Sequence, residues 1–454
     1  MSDNKTPKVG FVSLGCPKNL VDSEVMLGAL SRQGYSITAR KEDADVIVVN
    51  TCGFIDSAKK ESIDTILEMA ELKTQGNCKK LVVAGCLAER YRSEIQKEIP
   101  EIDFIFGPDE LGRVLEAVQL DSSAASPDVS AISIDALYTS TEVPTIPRIL
   151  TTPSYMAYLK ISEGCDHVCT FCAIPGFRGR FRSRSLADLV AESRRLAEQG
   201  VRELVIVSQD TMAYGKDIGL SNGIVTLLRE LVKIDGLKWV RFLYCYPNMV
   251  SDDLVRLVAE EDRLCKYFDI PYQHASRGVL ERMKRGGHRG IYERQIEAIR
   301  KLMPQAGLRT SFIVGFPGES ENDFAEILTF MKNVEFDNVG VFLYSDEEGT
   351  GAFDLDGKVQ RRDATRRRNQ VMKEQAGISA NKLRGMVGRT AEVLLEGPAE
   401  ESDLLLQGRM ETQAPDIDGH VLINDVAETN VAPGNFYSVE ITDSLEYDLV
   451  GKIV

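Results

Sequence analysis

The chain has 454 residues, of which 43% are hydrophobic and 27% charged, and a formal net charge of −15. That length exceeds one compact core and points to two or three domains. The acidic balance excludes a protein whose whole surface grips nucleic-acid phosphates, and no apolar run approaches the roughly 18 residues that span a bilayer.

The N-terminal stretch MSDNKTPKVGFVSLG holds one short apolar run and no cleavage-site pattern, so a secretory signal is not expected and the location is expected to be cytoplasmic. Nine cysteines in a reducing compartment point to metal binding or catalysis rather than to disulfides.

In chain order, residues 8–120 are expected to form an α/β domain with a parallel sheet. Apolar runs at 9–14, 46–49 and 81–84 alternate with helical patterns at 23–30 and 62–72. Cys16, Cys52 and Cys86 each follow one of the runs by a few residues. The C-terminal strand ends of a parallel sheet lie along one edge, so three strands deliver three thiols to one place. With no fourth cysteine in that setting, a 4Fe–4S cluster with an open iron is the hypothesis; small buried cysteines are the plainer alternative. Cys78, Cys245 and Cys265 read as packing residues.

Residues 121–150, rich in Ser, Pro and Thr, read as a linker. The second domain is expected over 151–380, with strands at 156–161, 203–208, 239–245, 267–271, 310–314 and 338–344 separated by helical patterns. One helix begins at Ser185, with Asp188 in a capping-box-like position, and ends at Gly200. Six β/α units predict a partial barrel, with ligands at the C-terminal strand ends. A basic helical stretch over 358–384 leads to a small all-β barrel over 383–454, with strands at 392–395, 421–423 and 437–441.

Cys165, Cys169 and Cys172 lie directly after the first barrel strand, spaced CxxxCxxC in EGCDHVCTFCAIPGF. Three thiolates on one loop can hold three corners of a 4Fe–4S cluster and leave one iron open. An open iron can bind the amino and carboxylate groups of S-adenosylmethionine (SAM), and an electron passed to the sulfonium then yields a deoxyadenosyl radical. A zinc loop is the alternative, but zinc sites usually use four ligands in two spaced pairs, and His167 sits inside the loop at poor spacing. His274 and His288 are read as structural, and no catalytic acid or base is assigned.

The cysteine motif, its place after the first strand and the six β/α units resemble the radical SAM superfamily. The resemblance implies that Cys165, Cys169 and Cys172 hold the SAM-cleaving cluster. It also implies that the strand ends at Ser208, Gln209 and Asp210 and at Gly315, Phe316 and Pro317 contact SAM; for Gly318 a turn role fits equally well. The three-cysteine N-terminal domain, the barrel and the β domain, which resembles a TRAM module, are together similar to the methylthiotransferase family over almost the whole chain. In that family an auxiliary cluster, here on Cys16, Cys52 and Cys86, carries the sulfur. The chemistry then uses two 4Fe–4S clusters and two SAM, and a reductant such as flavodoxin or ferredoxin.

Three segments, LGCPKNLVDSE, EGCDHVCTFCAIPGFRGRFRSR and YSDEEGTGA, resemble the RimO enzymes within that family. This implies as substrate the β-carbon of an aspartate in the basic small-subunit ribosomal protein uS12, alone or within the ribosomal subunit. Charge gives an independent indication: from Gly388 to Val454, 14 acidic residues face three basic ones, a net −11, which attracts a basic protein and repels phosphates. Two basic runs, Arg178, Arg180, Arg182 and Arg184, and Arg361, Arg362, Arg366, Arg367 and Arg368, point toward RNA unless they are solvated or locally paired. A transfer-RNA adenosine methylthiotransferase is therefore the second reading, and a non-catalytic iron–sulfur or zinc protein the third.

Overall fold

Five strands, β1 (Lys8–Ser13), β2 (Ser36–Thr38), β3 (Val46–Thr51), β4 (Lys80–Gly85) and β5 (Ile102–Phe106), make a parallel sheet in the order β2-β1-β3-β4-β5. The computed structural model describes residues 7–120, 148–400, 402–426 and 430–454. Of the sequence-predicted linker at 121–150, only 148–150 are among the described residues. Every residue of β3 is buried, as a strand covered on both faces requires. Alternate residues serve opposite layers: Val46 and Val48 join one apolar cluster, and Ile47 and Val49 the other. The helices Pro17–Arg32 and Asp56–Gln75 run longer at both ends than the periodicity predicts. β2 and β5 carry no predicted strand, the first because it is short and polar.

The central domain holds β6 (Met156–Lys160), the short antiparallel pair β7 (Ser162–Glu163) and β8 (Arg182–Ser183), then β9 (Glu203–Val207), β10 (Trp239–Phe242), β11 (Tyr267–Asp269), β12 (Gly307–Val314) and β13 (Asn338–Leu343). The parallel sheets β6-β9-β10 and β11-β12-β13 are joined by the bridge Val240–Leu264. Ala157, Leu159, Leu204, Ile206, Val240 and Phe242 pack outward against the helices. Tyr158, Val205, Val207, Trp239 and Tyr267 belong to a second cluster inside the barrel, which Val21 of the N-terminal domain joins. Ser185 caps the helix Leu186–Glu198 by accepting the Asp188 N–H, but the Asp188 carboxylate turns to Arg184, so the box is not reciprocal.

β14 (Thr390–Ala399), β15 (Ser402–Arg409), β16 (Val421–Val426), β17 (Phe436–Ser444) and β18 (Leu449–Ile453) close a small barrel in the order β14-β15-β16-β18-β17. It stands against the N-terminal ends of the central strands. Arg409 donates to Glu203, the first residue of β9, at 2.6 Å and to Glu396 at 2.7 Å, and Asp418 accepts from Tyr267 and Arg309, each at 2.7 Å. Trp239, the first residue of β10, meets Phe436 edge-on at 4.8 Å. Among the described residues no helix is long and apolar enough to cross a membrane.

Candidate active site at the barrel mouth

β1, β3 and β4 are neighbours in the sheet, and the loops after them carry Cys16, Cys52 and Cys86. Cys16 precedes the helix Pro17–Arg32, and Cys86 opens the helix Cys86–Arg90. The three loops pack backbone to backbone. A Cβ on Gly15, whose φ is +89°, would lie 2.7 Å from Cys52 Cβ, and one on Gly53 would lie 2.9 Å from the Leu87 nitrogen. The charge of Cys16 is felt by Cys52 and Cys86, and that of Cys52 by Cys86. Burial pushes the Cys86 thiol up to about 12 and raises Cys52 as well. Burial also acts on Cys16, but the Lys18 and Arg178 charges outweigh it and bring this thiol below its ordinary value.

The second set sits on the loop between β7 and β8. The Cys165 N–H donates to Gly179 O at 3.2 Å and the Cys172 N–H to Cys169 O at 3.1 Å. Thr170 fastens the loop to the barrel through Met283 O and Ala352 N. Arg285 Nη1 lies 3.5 Å from Cys169 Sγ. Burial pushes Cys165 up to about 11 and Cys172 up to about 12.

Between the two sets runs a buried charge network that sequence reasoning missed. Arg178, just past the cysteine loop and 2% exposed, donates to Cys86 Sγ at 3.2 Å, Asp22 at 2.9 Å and Glu163 at 3.0 Å. Lys160 pairs with Asp22 and, at 2.9 Å, with Glu163. Burial would raise the Glu163 carboxyl, but Arg178 and Lys160 hold it well below the carboxylate range. The run read as a possible RNA contact is thus largely paired: Arg182 meets Asp109, Arg184 meets Asp188 and Glu192, and Arg180 alone of the four is exposed. On the helix Arg361–Arg384, Arg366 and Arg367 likewise pair with Glu321, and Arg367 also with Glu319.

At the end of β9, Ser208 is buried against Ser162, and Gln209 donates its amide to Glu163 at 3.0 Å. The Gln209 Oε1 is buried without a hydrogen-bond donor. Asp210 holds His167 Nε2 at 2.6 Å, and the His167 ring stacks on Tyr246 at 3.7 Å. Past β12, the Gly315 and Phe316 N–H groups donate to Glu319 at 2.7 and 3.2 Å, the Phe316 ring is fully buried, and Pro317 O accepts from Arg282 at 3.0 Å. His274 is buried beneath this turn, its Nδ1 accepting the Ser276 N–H.

The donor chemistry, free thiols and an unmet amide oxygen, suits iron–sulfur and SAM binding. All nine cysteines are free thiols. Among the described residues no three His, Cys, Asp or Glu side chains converge as ligands of one metal ion would. A zinc ion needs its thiolates about 2.3 Å from one point, whereas the thiols of a cubane are held apart by the cluster itself. The orphaned Gln209 Oε1 beside the cysteine loop is an acceptor suited to the SAM ammonium.

A partial barrel of six parallel strands, with three thiols on the loop after its first strand, defines a radical SAM enzyme. The family models agree: residues 8–107 match uncharacterized protein family UPF0004, 159–331 the radical SAM superfamily and 387–454 the TRAM domain. The ribosomal protein uS12 methylthiotransferase RimO of Koribacter versatilis is 50% identical over 100% of this chain and 97% of its own. That of Trichlorobacter lovleyi is 47% identical over 100% of both. The chain belongs to the RimO family of methylthiotransferases. Among solved structures, the radical SAM methyltransferase TsrM of Kitasatospora setae with tryptophan and aza-SAM matches in fold. Its TM-score is 0.56 at 15% identity, over 82% of this chain and 89% of that one.

Proposed function

We propose that this chain adds a methylthio group to the β-carbon of an aspartate in ribosomal protein uS12, using two 4Fe–4S clusters and two SAM. What supports the reading is that three thiols follow neighbouring strands of the N-terminal sheet and three more follow the first barrel strand, with Arg178, just past the second set, donating to Cys86 of the first at 3.2 Å. When bound, a cluster on Cys165, Cys169 and Cys172 supplies the electron that cleaves SAM, and one on Cys16, Cys52 and Cys86 supplies the sulfur.

The chain's own residues bind and orient. Gln209 Oε1 accepts from the SAM ammonium, and Asp210 fixes the His167 ring against Tyr246. The Gly315 and Phe316 amides serve Glu319, so their part toward SAM is to shape the wall. Arg178 and Lys18 offset negative charge at Cys16 and Cys86. Flavodoxin or ferredoxin is the reductant class, and the basic uS12 suits an acidic chain. One acidic group of the small barrel, Asp418, docks it to Arg309 instead, and Glu396 pairs with Arg409 within the barrel; Glu400, Asp425 and Glu446 stay exposed.

The test is mass spectrometry of uS12 from cells lacking this enzyme. Loss of a methylthio-sized mass from one aspartate supports the reading. An unchanged uS12 beside altered transfer RNA overturns it. Reconstituted protein should hold roughly eight irons per chain, and about four would remove the second cluster.

A further inference from the structure

Lys18 is a buried cation at the barrel mouth that forms no ion pair with a described carboxylate. It is 8% exposed and lies in the first turn of the helix Pro17–Arg32. That turn carries no acidic residue, and the positive end of a helix is the wrong pole for a lysine. Burying an ammonium is costly unless an anion meets it. Other buried cations have their anions: Lys160 and Arg178 at the mouth share Asp22 and Glu163, and Arg241 and Arg409 at the other strand ends share Glu203.

The partners Lys18 does have are the Tyr244 side chain, through its ring and a hydrogen bond, and a thiol. Its Nζ stands 3.6 Å from the centre of the Tyr244 ring, and it feels the charge of Cys16 and, as a like charge, of Arg178. Asp269 also feels Lys18, but that carboxylate accepts the Tyr244 N–H at 2.9 Å and lies 3.9 Å from Arg309. Tyr244 holds its ring there at a φ of +61°, a conformation disfavoured for a residue with a side chain and kept where a site demands it.

The position relates the two thiol sets. Tyr244 faces Lys18 and Cys16. Tyr246, two residues on, stacks on His167 and feels the charge of Cys169 and Cys165. A carbon attacked from one set and joined to sulfur from the other has to sit between them, and Lys18 stands beside Cys16, against the Tyr244 ring two residues before Tyr246. If that carbon is an aspartate β-carbon, its carboxylate is one bond away and is repelled by thiolates on both sides. One cation gripping that carboxylate relieves the repulsion and fixes the reacting carbon.

We propose that Lys18 receives the carboxylate of the substrate aspartate and so selects it. This rests on the aspartate reading above. Tyr244 is a positioning residue that holds the Lys18 ammonium toward the mouth.

The test uses full-length reconstituted enzyme and recombinant uS12 carrying either Asp or Asn at the target position, with affinity as the readout. Wild type should bind the Asp form roughly 30-fold more tightly, as a charge-assisted hydrogen bond to a carboxylate allows. Lys18→Met should bind both forms alike, at the affinity wild type has for Asn, and Lys18→Arg should keep most of the preference. Iron content is measured on each variant. If Lys18→Met loses iron, Lys18→Gln is compared with Lys18→Arg at equal loading, with the same outcomes expected.

A Met or Gln variant that still prefers Asp overturns the assignment while the aspartate reading stands. A wild type that shows no preference and leaves no modified aspartate overturns both. A wild type that modifies aspartate without preferring it overturns the assignment alone.

Discussion

Cys165, Cys169 and Cys172 share one loop of eight residues, whereas Cys16, Cys52 and Cys86 are spread over 71 residues and meet only because three strands lie side by side. The first set is nearly complete in local sequence and needs only Thr170 and Arg285 to fasten it. The second exists only once the N-terminal sheet has formed. One mouth therefore joins a site built by a loop to a site built by tertiary packing, and the two should fail under different perturbations.

Replacing the cysteines separates them most sharply. Cys165→Ala should reduce 5′-deoxyadenosine formation below detection. Joint replacement of Cys16, Cys52 and Cys86 by Ala should keep SAM cleavage, abolish methylthiolation and remove about half the iron. Chromatography of the nucleoside and iron analysis together read this contrast, and equal losses from both variants would erase it.

Arg178→Met strikes the crossing between the sets. It strips a guanidinium from Asp22, Glu163 and Cys86 and leaves buried charge poorly compensated, at a cost of about 3–5 kcal/mol. Thermal unfolding should fall, and both clusters should loosen together. A melting temperature within a degree or so of wild type would mean that the network does not hold the mouth together.

Ile47→Ala empties a fully buried site on β3 and should cost about 2–5 kcal/mol. Because the cavity loosens the sheet whose strands carry Cys16, Cys52 and Cys86, iron should be lost from that set first, with 5′-deoxyadenosine formation retained. Loss of SAM cleavage in step with the iron would contradict the separation.

The smallest effect is a pH dependence beside the mouth. Burial would raise the Glu192 carboxyl, but Arg184 and Arg148 overcome this and hold it at about 2. A carboxyl held below its unfolded value stabilises the fold fully above that value, about 4.5, and the contribution fades as pH falls toward about 2. Glu192→Gln should therefore lower stability at neutral pH and flatten its acid dependence in this window, as measured by urea unfolding.

The β/α alternation was legible in the sequence, and so was the placement of six cysteines just past its strands, for one physical reason. Buried parallel strands are apolar runs, and chemistry collects at their C-terminal ends, so residues just past the runs stand out. The six central strands were located this way; their observed ends shift by a few residues, as for β10, which stops at Phe242 rather than 245. In the small barrel, β15 and β18 were missed because Gly408 and Gly451 sit inside them and read as breaks. The charge network was illegible because its partners are distant: Arg178 and Asp22 are 156 residues apart, so the run around Arg178 looked like a free basic surface. Lys18 gave no signal either, since a lysine early in a helix ordinarily points to solvent.

The glycine contacts among the three N-terminal loops also bear on motion. With no room for a single methyl group between Gly15 and Cys52, or between Gly53 and Leu87, these loops cannot slide past one another. Any tilt of the N-terminal domain against the barrel would have to stretch the bonds that Arg178 makes to Asp22 and Cys86 across that boundary.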